Sequence, residues 1–208
     1  MSGIADKPHV GLLSTYIEHV YGRTPLDAPI FDYGLTHVQP RLRKDTVNKI
    51  LVYPGSFDPP HRGHLELLTH VFHHRDDIIA AIVLPLDDDD IRTKCRATGD
   101  KLLFTKQERV KIWRGHGPSD WLWVFDRSAT DWSPFRRNLI KATAEDGFRL
   151  DFVLLAGPDQ INPKCDILWG TWGGCMEFVV SDISRPGFVS PSGDLRKMQD
   201  CGTIKNRV

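Results

Sequence analysis

His61 and His64 stand three residues apart where an amphipathic segment begins, directly behind Gly55-Ser-Phe-Asp-Pro-Pro60. A helix amino terminus offers free N–H groups and the positive end of a dipole, which favour an anion. Imidazoles at this spacing add donors to the same site. A strand-to-helix turn built from a glycine and two prolines, carrying such a pair, therefore binds phosphate; the spacing alone does not select the reaction. Zinc is the other common use of paired histidines, but the adjacent helix offers no evident third ligand. His73 and His74 are neighbours late in the same segment, face different ways, and read as surface residues. The loop is neither a Walker A loop nor G-x-G-x-x-G, because the lysine and glycine spacings are absent. No G-x-S-x-G occurs, which weakens a serine-hydrolase reading.

The elements that must present this loop follow from hydrophobic patterning. Residues 49–53 form a short buried run ended by Pro54-Gly55, and 77–84 form a second. Continuous apolar runs suit parallel strands covered on both faces. Between them, Leu65, Leu68, Val71 and Phe72 recur at helical spacing over 63–74. Thr105 with Glu108 three positions later is a capping box and opens a helix to about 114. Ser133-Pro134 opens another, running to about 145. Residues 121–125, 150–155 and 176–180 read as further strands, and 87–100 as a polar loop. Strands alternating with helices predict right-handed βαβ units and an α/β fold: an open parallel sheet with helices on both faces. Ligands of such sheets bind outside the strands' carboxyl ends. That places 55–64, 87–100 and 157–160 together as candidates.

Composition bounds the rest. The 208 residues carry 27 Lys plus Arg against 27 Asp plus Glu, so no general basic surface exists to wrap nucleic acid. With 40% hydrophobic residues and six tryptophans, a core is available; Trp121, Trp123 and Trp132 read as packing. No apolar run approaches the roughly 20 residues a spanning helix needs, so no membrane partner is expected. The start has no charged region followed by an apolar stretch, and secretion is not expected; the cytoplasm is the default, the nucleus compatible. Cys95, Cys165, Cys175 and Cys201 form no C-x-x-C pair and read as reduced thiols. Asp87–Asp90 reads as a solvated run. Residues 1–46 read as a partly irregular N-terminal extension with one helix near 12–20, 47–190 as the α/β domain, and 191–208 as a C-terminal tail.

The stretch Tyr53-Pro-Gly-Ser-Phe-Asp-Pro-Pro-His-Arg-Gly-His64 resembles the signature of the HxGH nucleotidylyltransferases, whose catalytic domain is Rossmann-like. Its GSFDP form is closer to the adenylyltransferase branch than to the cytidylyltransferases. Leu154-Leu-Ala-Gly-Pro-Asp159, Leu168-Trp169 and Phe178-Val-Val with Arg185-Pro-Gly187 are similar, in that order, to segments of nicotinamide-mononucleotide (NMN) adenylyltransferases. The resemblance covers roughly 48–190. It implies a direct transfer: the phosphate of a mononucleotide attacks the α-phosphorus of ATP and pyrophosphate leaves with Mg²⁺, with no metal held by the protein itself. His61 and His64 would donate to the ATP phosphates, and Gly55, Ser56, Phe57 and Gly63 would bring backbone against the nucleotide. Gly157 and Asp159 would shape the loop and ribose contact, Trp169 would stack on a base, and Arg185 would wall the base pocket. Lys94 would reach a phosphate, although it and Lys101 also read as solvated lysines. The implied partners are ATP and a mononucleotide, with a homo-oligomer compatible.

One departure carries an expectation of its own. The family closes its ATP site with a later ISSTxIR-type segment, for which this chain has Gly202-Thr-Ile-Lys-Asn-Arg-Val208. Thr203, Lys205 and Arg207 echo that segment without its serine pair, as a truncated tail would. An inactive nucleotide-binding homologue therefore stands beside the NMN-dependent enzyme; within the enzyme class, the alternative is a sister transferase using CTP or another phosphorylated acceptor.

Overall fold

Five strands and five helices follow one another in a computed structural model that describes residues 11–22, 29–31, 39–115, 119–157, 174–175 and 177–181. The strands are β1 (Val47–Gly55), β2 (Ile78–Pro85), β3 (Leu122–Val124), β4 (Arg149–Ala156) and β5 (Glu177–Val180). They pair in the order β3-β2-β1-β4-β5, every pairing parallel. The helices are α1 (Leu13–Tyr21), α2 (Arg62–His73), α3 (Asp88–Thr98), α4 (Lys106–Arg114) and α5 (Trp132–Glu145). All five expected strands and four expected helices form within a few residues of their predicted bounds. The chain has the Rossmann-like α/β architecture.

The unbroken apolar runs of β1 and β4 have the cause inferred from sequence: both faces of the sheet are covered. Ile50, Val52, Phe152 and Leu154 point to one face, where α1 and α5 contribute Leu13, Ile17, Phe135 and Leu139. Leu51, Tyr53, Val153 and Leu155 point to the other, against Leu67, Leu68 and Val71 of α2 and Val110 of α4. Period-two alternation thus feeds two separate cores. Trp121, Trp123 and Trp132 are buried among them. The helix expected near 12–20 is present as α1 and belongs to the core: Leu13 and Ile17 are fully buried, and Tyr16 donates to Asp146 at 2.6 Å. Cys175 is buried and Cys95 half-buried, both as free thiols; Cys165 and Cys201 lie outside the described residues.

One sequence reading is corrected. Residues 87–100, read as a polar loop with a solvated aspartate run, contain α3. Only Ile91 of that helix is buried, so the apolar periodicity that marks a helix is missing. The remaining signals were electrostatic: three aspartates in the first turn at the positive dipole end, Arg96 in the last turn, and Gly99 in the left-handed conformation as its stop.

At the amino end of the sheet, opposite the candidate site, four charges lock β1, β5 and the start of β2 together. Asp77 accepts from Arg75 at 2.7 and 2.8 Å and from Lys49 at 3.0 Å; Glu177 accepts from Lys49 at 2.6 Å and Arg75 at 2.7 Å. Hydrogen bonds from Arg75 foremost hold the Asp77 carboxyl well below the usual carboxylate range. A carboxylate depressed in the folded state contributes stability that is complete above about pH 4 and lost as pH falls through the folded value. Asp77→Asn should therefore destabilise the protein by about 1–3 kcal/mol at neutral pH. In urea unfolding its deficit relative to wild type should shrink below about pH 4, and a deficit constant with pH would rule the linkage out.

Candidate active site

Moving outward from β1, the chain runs to β2 and β3 on one side and to β4 and β5 on the other. The carboxyl ends of β1 and β4 flank the point where strand order reverses, and open α/β sheets receive ligands there. The loop from Gly55 into α2 leaves the sheet at that point.

Its shape is set by Phe57. The residue takes φ +49°, a left-handed conformation uncommon for a non-glycine side chain, and its ring is 3% exposed. Tyr53, His64 and Trp113 surround that ring, each with a centroid 5.1 Å away. The ring also covers Gly55, where an added Cβ would stand 2.6 Å from its tip. Gly55 is therefore required for space rather than for an unusual φ. Beyond Phe57, the Asp58 carboxylate accepts from the Leu103 and Phe104 amides at 2.9 and 2.8 Å, joining this loop to the one between α3 and α4.

The two histidines come together at the first turn of α2. His61 is its N-cap residue, in extended conformation, and its N–H donates to His64 Nδ1 at 3.2 Å. An Nδ1 that accepts leaves the neutral imidazole's proton on Nε2. The rings stack with centroids 3.6 Å apart and 24° between their planes. A Cβ on Gly63 would lie 3.3 Å from the His61 ring, so this glycine allows the ring to settle over the helix end. His61 is exposed and His64 partly so, so neither ring is sealed in the core. His73 and His74 are exposed at the far end of the helix, as their positions predict.

Gly55, Ser56, Phe57, His61, Gly63 and His64 thus share one short loop and helix start, and Gly157 follows β4 alongside. Lys94 lies exposed on α3, and Lys101 is exposed between α3 and α4. Asp159, Trp169, Arg185, Thr203, Lys205 and Arg207 lie outside the described residues.

Sequence reasoning passed over several residues that build the rim. Asp87 accepts from Lys106 at 2.7 Å, Ser128 at 2.6 Å and the Ala129 amide at 2.9 Å. Burial pushes its carboxyl up, but these hydrogen bonds outweigh burial and hold it low. Asp88 accepts from buried Arg109 at 2.6 Å. Half of the aspartate run is therefore structural, while Asp89 and Asp90 are exposed. The available signal was Arg109 on the same helical face as Val110 and Trp113. A charged residue on an apolar stripe needs buried acceptors.

Among the described residues, no group of three His, Cys, Asp or Glu is arranged to hold a metal ion. The arrangement is one of imidazole rings and backbone N–H groups around a helix start.

A family model described as cytidylyltransferase-like matches residues 52–193, more than half of the chain. The chain is 33% identical over 66 residues to phosphopantetheine adenylyltransferase of Aquifex aeolicus (strain VF5), covering 32% of this chain and 34% of that one. To the enzyme of the same name from Francisella tularensis subsp. novicida (strain U112) it is 33% identical over 69 residues, 32% of this chain and 41% of that one. The matched stretch thus spans less than half the length of these relatives. A solved structure of Plasmodium falciparum nicotinic acid mononucleotide adenylyltransferase complexed with NaAD aligns with TM-score 0.36 at 15% identity, covering 64% of this chain and 74% of that one.

Proposed function

The chain belongs to the cytidylyltransferase-like family, and from that premise we propose that it transfers the AMP moiety of ATP to the phosphate of a mononucleotide, NMN first. The observation that carries this reading is the stacked His61–His64 pair on the amino end of α2 at the sheet's reversal point. A phosphate oxygen of the acceptor attacks the α-phosphorus, the new P–O bond forms, and the bond to the pyrophosphate oxygen breaks. Charge builds on the equatorial and leaving oxygens, so the protein's task is positioning and donation, with no covalent intermediate. His64, with its proton on Nε2, supplies one donor; His61 and the first amides of α2 supply others.

Mg²⁺ bound to the triphosphate would neutralise charge on the leaving pyrophosphate. Asp58, in the loop itself, and Asp88, tied to it through Arg109, already accept from backbone amides and Arg109, which fits an ion carried by the nucleotide. Gly157, Asp159, Trp169 and Arg185 remain the candidates for the acceptor side, and Lys94 for an outer phosphate.

A second acceptor is favoured by one observation: the curated relatives quoted above are both phosphopantetheine adenylyltransferases, which favours 4′-phosphopantetheine. The two readings share the ATP chemistry and separate on product. Purified protein is incubated with ATP or CTP and with either NMN or 4′-phosphopantetheine, reading pyrophosphate release and product mass. Dinucleotide from ATP plus NMN is expected. Product from phosphopantetheine alone would transfer the assignment to the second acceptor. Turnover of CTP without ATP would overturn AMP transfer, and ATP binding without any product would mark an inactive homologue.

A further inference from the structure

Arg109 is fully buried, on the inward side of a helix whose other inward residues are Val110 and Trp113. Removing a guanidinium from water is expensive unless its donors find acceptors. Here they do, and the acceptors belong to three different loops. Nη1 donates to the Ser56 carbonyl at 2.6 Å, in the loop from β1 to α2. Nη2 donates to the Leu86 carbonyl at 2.9 Å and to Asp88 Oδ1 at 2.6 Å, between β2 and the first turn of α3. Nε donates to the Phe104 carbonyl at 3.1 Å, in the loop from α3 to α4. The planar fork of arginine serves these directions at once; a lysine ammonium at the end of a flexible stem does not.

The bond to Ser56 sets an orientation. In a trans peptide the C=O and the following N–H point opposite ways. With the Ser56 carbonyl turned inward to Arg109, the Phe57 N–H is turned away from it. We propose that Arg109 is a positioning residue for the nucleotide site, fixing the Ser56–Phe57 peptide so that its amide is presented to phosphate. This rests on the transfer reading above. Arg109 touches no substrate itself; it acts through the loop that does.

The test compares Arg109→Lys and Arg109→Met with Val110→Ala, a packing control on the same helix that makes none of these bonds. Two readouts are taken on the full chain: amide hydrogen exchange over 54–58, and ATP·Mg²⁺ affinity with kcat. A loop released from its anchor samples misaligned geometries, so exchange over 54–58 should speed about tenfold in Arg109→Lys and kcat should fall about tenfold or more. Val110→Ala, matched for loss of melting temperature, should leave both within about twofold. Unchanged exchange over 54–58 in folded Arg109→Lys would overturn the proposal. So would a Val110→Ala that reproduces the same fall in kcat. If Arg109→Met fails to fold, Arg109→Lys, which keeps a cation facing Asp88, carries the comparison. Wild-type protein that neither binds nor turns over ATP would instead remove the transfer reading, and the exchange result would still decide the role of Arg109.

Discussion

His64→Ala is expected to lower AMP transfer by about a hundredfold or more, through kcat, in a protein that remains folded. The ring lies on the first turn of α2 with its Nδ1 accepting from the His61 amide, so its remaining N–H is held in a fixed direction before substrate arrives. A donor of this kind acts on charge that exists only in the transition state, so its loss appears in kcat more than in binding. The substitution also removes a cap acceptor and an aromatic neighbour of Phe57, at a cost of about 1 kcal/mol in stability. His64→Gln separates the two effects. Glutamine at the third helical position can still accept from the N-cap amide. It should keep the melting temperature near wild type while the rate stays low. His61→Ala should show the same direction of effect, and exposed His73→Ala, at the other end of the helix, should leave the rate unchanged. Equal kcat for wild type and His64→Ala would remove the imidazoles from the mechanism.

What the sequence discloses here, and what it withholds, follows from which force builds each part. β1, β2 and β4 are legible because burial on both faces leaves continuous apolar runs. The starts of α4 and α5 are legible because Thr105, Glu108 and Pro134 act within a single turn. The loop at 55–64 is legible because glycine, proline and histidine leave few other readings. α3 escapes because it rests on one buried side chain and on charge placed against its dipole, which in sequence is indistinguishable from a solvated acidic run. Asp58, Asp87, Asp88 and Arg109 escape for a different reason. Apart from the Phe104 carbonyl five positions before Arg109, their partners lie 19 to 53 positions away, and most are backbone amides or carbonyls, which no residue type announces. The paired histidines of the loop are thus readable locally, while the groups that hold the loop in place are readable only once the loops meet.

The second large effect isolates how that loop is held and is read first in stability. Phe57→Ala removes a fully packed ring and should cost about 3–5 kcal/mol in urea unfolding. Gly55→Ala places a methyl group where the Phe57 ring stands, and the ring is held by Tyr53, His64 and Trp113, so it cannot swing aside freely. Overpacking of this kind costs about 1–3 kcal/mol. In the double variant the ring is gone and the new methyl group meets open space. Gly55→Ala/Phe57→Ala should then be no less stable than Phe57→Ala alone, giving an interaction of about −1 to −3 kcal/mol. Because the displaced ring presses on His64, Gly55→Ala should also lower transfer by about tenfold or more, as small misplacements of a reacting group do. Additivity within about 0.5 kcal/mol would mean that the two residues do not share the space. Gly55 would then need another explanation, and the loop's shape would have to come from Asp58 and Arg109 alone.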